Sequence, residues 1–238
     1  MATILPGILE SSFDDIQSAV ESVASSVKKV HVDICDGVFV QSKTWPYSHI
    51  KTGRVEENYH IQKLQTEDMG LPLWERIEYQ FDLMIKDPWR TLQLWAQAGA
   101  TSVVIHPSSI DGTDKVQQSI SIAQSLLMDV YISYTYDEWK AAENVSEILT
   151  TSGVVGIQCM TIKHIGVQGQ DFDERWDGEL ASIKETYPNL LIQLDGGIDE
   201  DVTKNINITP VDSFVIGSAI FKEGNADENV NFFKQMLY

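Results

Sequence analysis

The sequence predicts a single α/β domain over residues 1–238, folded as a closed (β/α)8 (TIM) barrel. Two observations predict this fold: short apolar runs alternate with longer amphipathic runs along nearly the whole chain, and there are eight of the apolar runs. Parallel strands joined by helices produce this alternation, and eight strands favour closure into a barrel. A doubly wound open sheet is the alternative, but its usual Gly-x-Gly-x-x-Gly motif does not follow the first predicted strand.

The strands are predicted from short runs that are rich in β-branched and other apolar residues. In chain order they are 3–9, 28–34, 77–85, 101–106, 129–134, 153–160, 189–195 and 212–218. The amphipathic runs between them predict helices over 12–26, 88–98, 113–127, 137–149, 172–186, 199–206 and 226–237. Asp87 and Asp199 stand where helix starts are predicted, and Gly99 is typical of a helix end.

The connection after the second strand is irregular, because residues 41–76 are too many for an ordinary βα crossover. It contains Trp45-Pro46, Gly53 and Gly70, and a polar run that predicts an inserted helix near 56–67. Such loops often serve as lids or interface elements.

The composition excludes several classes of partner. Acidic residues number 35 against 17 basic ones, so the formal net charge of −18 argues against a nucleic-acid or anionic-membrane surface. An anionic small substrate remains compatible, since backbone N–H groups can hold a phosphate. Cys35 and Cys159 lie in apolar runs without a CxxC pair, and neither a membrane span nor a signal peptide is evident, so a cytoplasmic location is expected.

The run VHVDICDG at 30–37 predicts a buried strand with reactive polar side chains near its carboxyl end. Side chains alternate along a strand, so His31 and Asp33 share one face while Val30 and Val32 fill the other. A histidine beside a carboxylate suits a metal ion or acid–base chemistry. The alternative is a buried histidine that only hydrogen-bonds Asp33.

Further polar side chains, Asp82, His106 and Asp195, stand at the ends of other predicted strands. Active sites of these barrels are built at the carboxyl ends of the strands, so convergence with His31 and Asp33 is expected. The three carboxylates that meet the histidine here repel one another unless a cation or shared protons compensate, which predicts one divalent metal. The ligand types suit Zn²⁺, Mn²⁺ or Fe²⁺ without choosing between them. His106 either reaches this site or simply ends its strand.

Two glycine-containing strand ends predict a phosphate site. Gly196-Gly197 follows the seventh predicted strand, and Gly217-Ser218 lies at the end of the eighth, each before a helical turn. Barrels frequently bind phosphate at these two loops, where glycine lets the backbone approach an anion. Glycines that only form tight turns are the alternative.

These residues resemble the ribulose-phosphate 3-epimerases, metal-dependent (β/α)8 barrels that interconvert ribulose 5-phosphate and xylulose 5-phosphate. HVDICDGVFV (31–40) is the most specific match, and the others follow in the same order along the chain. They are LPGIL (5–9), DLMIKDPWR (82–90), AQAGATSVVIHPSS (96–109), MTIKHIGVQGQDF (160–172), LDGGI (194–198) and VIGSAIF (215–221).

The resemblance implies roles for particular residues. His31, Asp33 and Asp195 match family metal ligands, and Asp82 stands at the fourth ligand position. Asp33 and Asp195 also match the acid–base pair that acts on opposite faces of the substrate C3 through an enediolate. Met84 and Met160 match methionines near that intermediate, although plain core packing is their alternative. The residues expected to bind substrate or phosphate are Gly166, Gly169, Gly196, Gly197, Gly217 and Ser218.

The chain departs from the family pattern around the barrel mouth. Asp82 replaces a family histidine, which makes the ligand set more anionic, favours Mn²⁺ or Mg²⁺, and raises the alternative of a weakened or lost metal site. Gly7 replaces a substrate-holding serine. The Asn-Pro-x-Thr pattern after strand five is replaced by Ser133–Tyr136, and Lys163–Gly166 replaces a Pro- and Gly-rich loop entry.

The sequence analysis predicts an isomerase acting on a phosphorylated ketose, with pentulose 5-phosphate as the default substrate. Three alternatives remain: epimerisation of another ketose phosphate such as a 6-phosphate, a sugar-phosphate lyase or decarboxylase on the same barrel, and a catalytically silent sugar-phosphate binder. Assembly as a homo-oligomer is left open. Lys163 and His164 are considered as phosphate-binding cations, and His49 and His60 are expected to be solvated.

Overall fold

Within residues 2–207, 209–222 and 224–237, which the computed structural model describes, eight parallel strands close into a barrel in sequence order. The strands are β1 (Thr3–Ile8), β2 (Lys29–Cys35), β3 (Glu78–Met84), β4 (Ala100–Ile105), β5 (Asp129–Thr135), β6 (Val154–Met160), β7 (Leu191–Asp195) and β8 (Ser213–Ile216). Pairing of β1 with both β2 and β8 completes the ring. This closure confirms the predicted barrel and excludes the open sheet.

Helices and short 3-10 turns surround the barrel. The helices are α1 (Phe13–Val23), α2 (Tyr59–Gln65), α3 (Leu92–Ala98), α4 (Thr113–Ser125), α5 (Tyr136–Ala141), α6 (Val145–Leu149), α7 (Asp177–Thr186), α8 (Glu200–Asn205), α9 (Ser218–Phe221) and α10 (Ala226–Met236). The predicted helix 137–149 is divided into α5 and α6, because Ala142 has an extended backbone (φ −77°, ψ 124°). The predicted helix 88–98 begins as a 3-10 turn, Pro88–Arg90, before α3.

Two of the three predicted helix-terminal residues have the expected role, and Asp87 does not. The Asp199 side chain accepts a hydrogen bond from the Val202 amide and so caps α8. Gly99 ends α3 with a left-handed φ of 103°. Asp87 precedes its 3-10 turn but makes no capping hydrogen bond, since its own backbone is left-handed (φ 52°).

The inserted segment packs on the outside of the barrel. The predicted helix near 56–67 is a 3-10 turn, Val55–Glu57, followed by α2, whose start is capped by Asn58. The segment packs against α3, and His60 stacks on Phe13 of α1 at 4.5 Å between ring centroids. His60 is therefore only partly exposed, and not fully solvated as expected, because one face of its ring covers Phe13. His49 is exposed, as expected.

The inside of the barrel is polar beneath the mouth. Gln193 Nε2 donates to Gln158 Oε1 at 2.6 Å, and Ser213 Oγ donates to Gln193 Oε1 at 3.2 Å. All of these side chains are buried, and β-branched residues such as Val32 pack on the opposite, helix-facing side of the strands. Hydrogen bonding between the buried amides compensates for their loss of water.

In the part of the chain that is described, none of the helices combines the length and the apolar character needed to cross a bilayer. Cys35 and Cys159 are both buried with free thiols.

Candidate active site at the carboxyl ends of the strands

The four predicted metal ligands converge at one point inside the mouth of the barrel. His31 and Asp33 are on β2, Asp82 is on β3 and Asp195 ends β7. Asp33 and Asp82 are register partners on neighbouring parallel strands, so both carboxylates point inward. One ligand atom from each of the four side chains lies within 4.8 Å of the others.

The spacing of these atoms fits a divalent metal ion. His31 Nε2 lies 3.3 Å from Asp33 Oδ1. It lies 3.6 Å from Oδ2 of both Asp82 and Asp195. Tetrahedral coordination with bonds of about 2.1 Å places ligand atoms about 3.4 Å apart.

The state of the imidazole also fits a metal. His31 Nδ1 lies 2.9 Å from Gln80 Oε1, an oxygen that can only accept, so Nδ1 carries a proton there. His31 Nε2 is buried and has no hydrogen-bond partner within the described residues. A buried ring nitrogen that faces three carboxylates, and whose lone pair becomes available when its proton is displaced, is suited to a cation.

A glutamine that the sequence analysis missed joins two of the carboxylates. Gln158 Nε2 donates to Asp82 Oδ2 at 2.7 Å and to Asp195 Oδ2 at 3.1 Å. Strand alternation could have identified Gln158, because it stands two residues before Met160 and so points to the same face. Gln80 and Gln193 stand two residues before Asp82 and Asp195 in the same way.

His106 belongs to the site rather than merely ending its strand. Its Nε2 donates to Asp82 Oδ1 at 2.6 Å, and both side chains are completely buried. The ring of Phe39, from the loop after β2, lies 5.6 Å away between centroids.

Their surroundings give the three carboxyl groups of the site different pKa values. Burial, opposed by His31 but reinforced by the charges of Asp33 and Asp82, raises the pKa of Asp195 to about 8. Burial also raises the pKa of Asp33. Burial acts the same way on Asp82, but His106 and His31 outweigh it and lower the Asp82 pKa well below its ordinary value. The site therefore holds one strongly anionic carboxylate and two carboxyl groups suited to proton transfer.

The histidines respond to the same charges. Burial lowers the pKa of His31, but contacts with Asp33, Asp82 and Asp195 more than offset it, so that the pKa lies well above its usual value. Burial also lowers the pKa of His106, but the charge of Asp82 and its hydrogen bond raise that pKa by more. The net pKa of His106 is therefore raised.

A cavity opens above Asp33 and Asp195, whose side chains are 15% and 13% exposed, whereas those of His31 and Asp82 are fully enclosed. All the residues predicted to contact the intermediate or the phosphate line this cavity. They are Met84, Met160, Gly166, Gly169, Gly196, Gly197, Gly217 and Ser218. The structure thus brings these eight residues together around the cavity above the four candidate metal ligands.

Two of the glycines are also required by the local backbone. Gly196 and Gly197 have φ values of 105° and 68°. A Cβ at Gly197 would lie 2.7 Å from the Phe172 amide nitrogen, so the loops after β6 and β7 meet there without a side chain between them. The resulting wall of bare backbone suits an anion held by N–H groups.

The two cations considered for phosphate do not line this cavity. Lys163 and His164 are exposed and border a separate outer groove together with Arg175. Gln168, which the sequence analysis passed over, lines the cavity instead, with Nε2 positioned 2.9 Å from where a Cβ at Gly217 would stand.

Comparison with known proteins gives concordant matches. The model of the ribulose-phosphate 3 epimerase family matches residues 3–221 of the chain. The ribulose-phosphate 3-epimerase of Aquifex aeolicus (strain VF5) is 23% identical over 242 residues, which cover 100% of this chain and 97% of that protein. The ribulose-phosphate 3-epimerase of Mycobacterium bovis (strain ATCC BAA-935 / AF2122/97) is 24% identical over 228 residues, which cover 92% and 85%.

The solved structure of KGPDC from Streptococcus mutans matches with a TM-score of 0.64 at 13% identity, covering 100% of this chain and 97% of that one. At this level of identity the match shows a shared barrel fold alone.

Proposed function

This chain belongs to the ribulose-phosphate 3-epimerase family, whose members are isomerases, and on that premise we propose that it interconverts ribulose 5-phosphate and xylulose 5-phosphate. The proposal rests mainly on two carboxyl groups that line one cavity, those of Asp33 on β2 and Asp195 on β7. In the closed barrel, β1 and β8 lie between these two strands. Inversion at a carbon needs one group to remove a proton and another to return a proton on the opposite face.

The two aspartates suit complementary roles. The pKa of Asp195 is raised to about 8, so this carboxyl group can hold a proton near neutral pH. Asp33, 3.3 Å from His31 Nε2, would act as the base in one direction, and the roles would exchange in the reverse direction. Each proton transfer changes only a C–H bond at C3, so the carbon skeleton of the substrate is unchanged.

The residues that would hold the metal are His31, Asp33, Asp82 and Asp195. When bound there, one divalent ion would supply Lewis-acid stabilisation for the oxyanion charge of the enediolate. Three carboxylates and one imidazole form a hard, oxygen-rich set, which favours Mn²⁺ or Mg²⁺ relative to a set with two imidazoles, with Zn²⁺ and Fe²⁺ also compatible.

The walls of the cavity suit the rest of the substrate. The bare backbone at Gly196, Gly197 and Gly217 would receive the phosphate through N–H groups. Met84 and Met160, which are 2% exposed, would contact the planar enediolate and keep water from it.

Deuterium wash-in at C3 of ribulose 5-phosphate in D₂O tests this proposal. The protein is stripped of metal and then supplied with Mn²⁺, Zn²⁺, Fe²⁺ and Mg²⁺ in turn. Metal-dependent exchange together with xylulose 5-phosphate is the expected result. Exchange without the epimer would contradict the two-base mechanism.

Other outcomes would replace the proposed activity. Absence of exchange with every metal would favour another ketose phosphate or a silent binder, and tight binding of ribulose 5-phosphate in that case would favour the binder. Products with a changed number of carbons would favour a lyase or decarboxylase.

A further inference from the structure

The imidazole missing from β3 is supplied by the neighbouring strand. Asp82 stands where the family resemblance leads us to expect a histidine. His106, immediately after β4, brings its Nε2 to 2.6 Å from Asp82 Oδ1. Both side chains have no exposed surface, so this contact is built into the barrel interior.

Strand register explains how the two side chains meet. Asp82 pairs with Val104 across β3 and β4, and His106 stands two residues beyond Val104. Side chains two residues apart share a face, so His106 extends the inward row of β4 by one step toward the mouth.

The backbone and ring of His106 are held from two sides. Its carbonyl oxygen accepts hydrogen bonds from both the amide and the hydroxyl of Ser109, at 3.0 and 2.8 Å. Phe39 packs against the ring, tilted by 53°. The imidazole therefore has little freedom to leave Asp82.

The two oxygens of Asp82 have different partners. Oδ1 accepts from His106, whereas Oδ2 accepts from Gln158 at 2.7 Å and faces His31 Nε2 at 3.6 Å. Oδ2 is the oxygen that joins the candidate metal site. Fixing one oxygen fixes the plane of the carboxylate and so the direction of the other.

We propose that His106 is a positioning residue that holds Asp82 with Oδ2 directed into the metal site, so that the Asp82–His106 pair takes the place of one histidine ligand. This inference rests on the metal site of the proposed function. Outer-shell partners of metal-ligating side chains fix the orientation of the ligand and thereby raise its affinity for the metal.

Calorimetric titration with Mn²⁺ alone tests the inference without reference to turnover. We expect His106→Leu to weaken Mn²⁺ binding by ~10- to 100-fold, while His106→Gln, which retains a donor at the same reach, stays within about threefold of the unmodified protein. His49→Leu removes an exposed imidazole and is the matched control, with unchanged affinity expected. Thermal unfolding of each variant verifies that it is folded, and His106→Gln keeps the test decisive if His106→Leu does not fold.

A second background separates positioning from a general effect on the barrel. In Asp82→Ala no carboxylate remains for His106 to position, so His106→Leu should then change Mn²⁺ binding by less than about threefold. Equal loss in both backgrounds, equal loss in His106→Gln and His106→Leu, or no loss in His106→Leu would each overturn the inference.

The readout distinguishes this inference from the proposed function. A protein that binds Mn²⁺ in a His106-dependent manner but does not epimerise ribulose 5-phosphate would support the inference and contradict the proposed function. Failure of the unmodified protein to bind any divalent ion would overturn the inference itself.

Discussion

At the scale of single residues, the chemistry depends on a few side chains whose neighbours set their proton affinity. Asp33 and Asp195 are partly exposed to the cavity, whereas Asp82 is enclosed and is held between His106 and Gln158. Three aspartates that are indistinguishable by residue type thereby acquire different pKa values: those of Asp33 and Asp195 are raised, and that of Asp82 is lowered.

Replacing one acid–base group should remove most of the activity. We expect Asp195→Asn to lower the kcat for epimerisation by ~10²- to 10⁴-fold, because the amide cannot transfer the C3 proton. Steady-state kinetics at saturating Mn²⁺ measure this effect, and Asp201→Asn, an exposed carboxylate on α8, is the control. Full activity in Asp195→Asn would contradict the two-base mechanism.

Metal binding should strengthen as the pH rises. The pKa of Asp195 is raised to about 8 and that of His31 lies well above its usual value, so both side chains hold protons in the metal-free site at pH 6. Metal must displace these protons, and Mn²⁺ affinity should therefore increase from about pH 6 to about pH 8.5, by up to tenfold per pH unit for each proton released. Calorimetry in buffers of different ionisation enthalpy measures the released protons, and a flat profile would contradict this assignment.

At the scale of elements, the loops after β6 and β7 form the site wall by approaching each other closely. This approach requires glycine at 197, where the backbone is left-handed and the Phe172 amide occupies the space of a side chain. The inserted segment after β2 has a different task, since α2 covers α3 and the flank of α1. Its core anchor is Trp45, 2% exposed, whose ring lies 5.5 Å from Phe13.

A methyl group at position 197 should damage both stability and the site. We expect Gly197→Ala to lower the free energy of unfolding by about 1–3 kcal/mol and to raise the KM for the phosphorylated substrate. Gly178→Ala is the matched control, because Gly178 lies in α7 with open space where a Cβ would stand. This change should raise the free energy of unfolding by up to about 1 kcal/mol. Urea unfolding and KM measurements test both changes, and equal stability of the two variants would contradict the backbone argument.

Removal of the buried Trp45 ring should destabilise the protein far more than removal of the exposed Trp74 ring. We expect Trp45→Ala to lower the free energy of unfolding by about 3–5 kcal/mol, because it leaves a cavity between the insertion and the barrel. Trp74→Ala in the same insertion should change it by no more than about 0.5 kcal/mol, since Trp74 is 63% exposed. Denaturant titration of both variants measures the difference, and similar losses would show that the insertion does not depend on Trp45.

At the scale of the whole molecule, the protein carries a large excess of negative charge. The formal net charge is −18, and the carboxyl groups of Asp33, Asp82 and Asp195 meet inside the mouth of the barrel. Self-repulsion of like charges destabilises a compact state, and salt screens the exposed part of it. The barrel must therefore outweigh this repulsion with its apolar shell and its hydrogen-bonded interior.

Salt should stabilise the protein. We expect the Tm to rise between about 10 and about 200 mM monovalent salt, where the screening length shortens to below the spacing of many surface charges. NaCl, KCl and choline chloride should act alike, because the effect is screening and does not involve a specific ion. Thermal unfolding at fixed pH measures the change, and a constant or falling Tm would contradict this account.

Local patterns in the sequence determined the barrel and most members of the site. Alternation of apolar and polar residues marked the strands, and the carboxyl ends of parallel strands meet at one mouth whatever the details of packing. His31, Asp33, Asp82 and Asp195 could therefore be predicted to lie together. The helix of the insertion and the glycine loops followed from local signals of the same kind.

Tertiary structure alone decided which polar partner each site residue has. The Asp82–His106 contact depends on the register of β3 with β4, and the bonds of Gln158 span three strands. Likewise, the outward position of Lys163 and the stacking of His60 depend on how loops and helices pack. Periodicity specifies the face to which a side chain points, but the distance to a partner on another strand is set by the closure and stagger of the whole barrel.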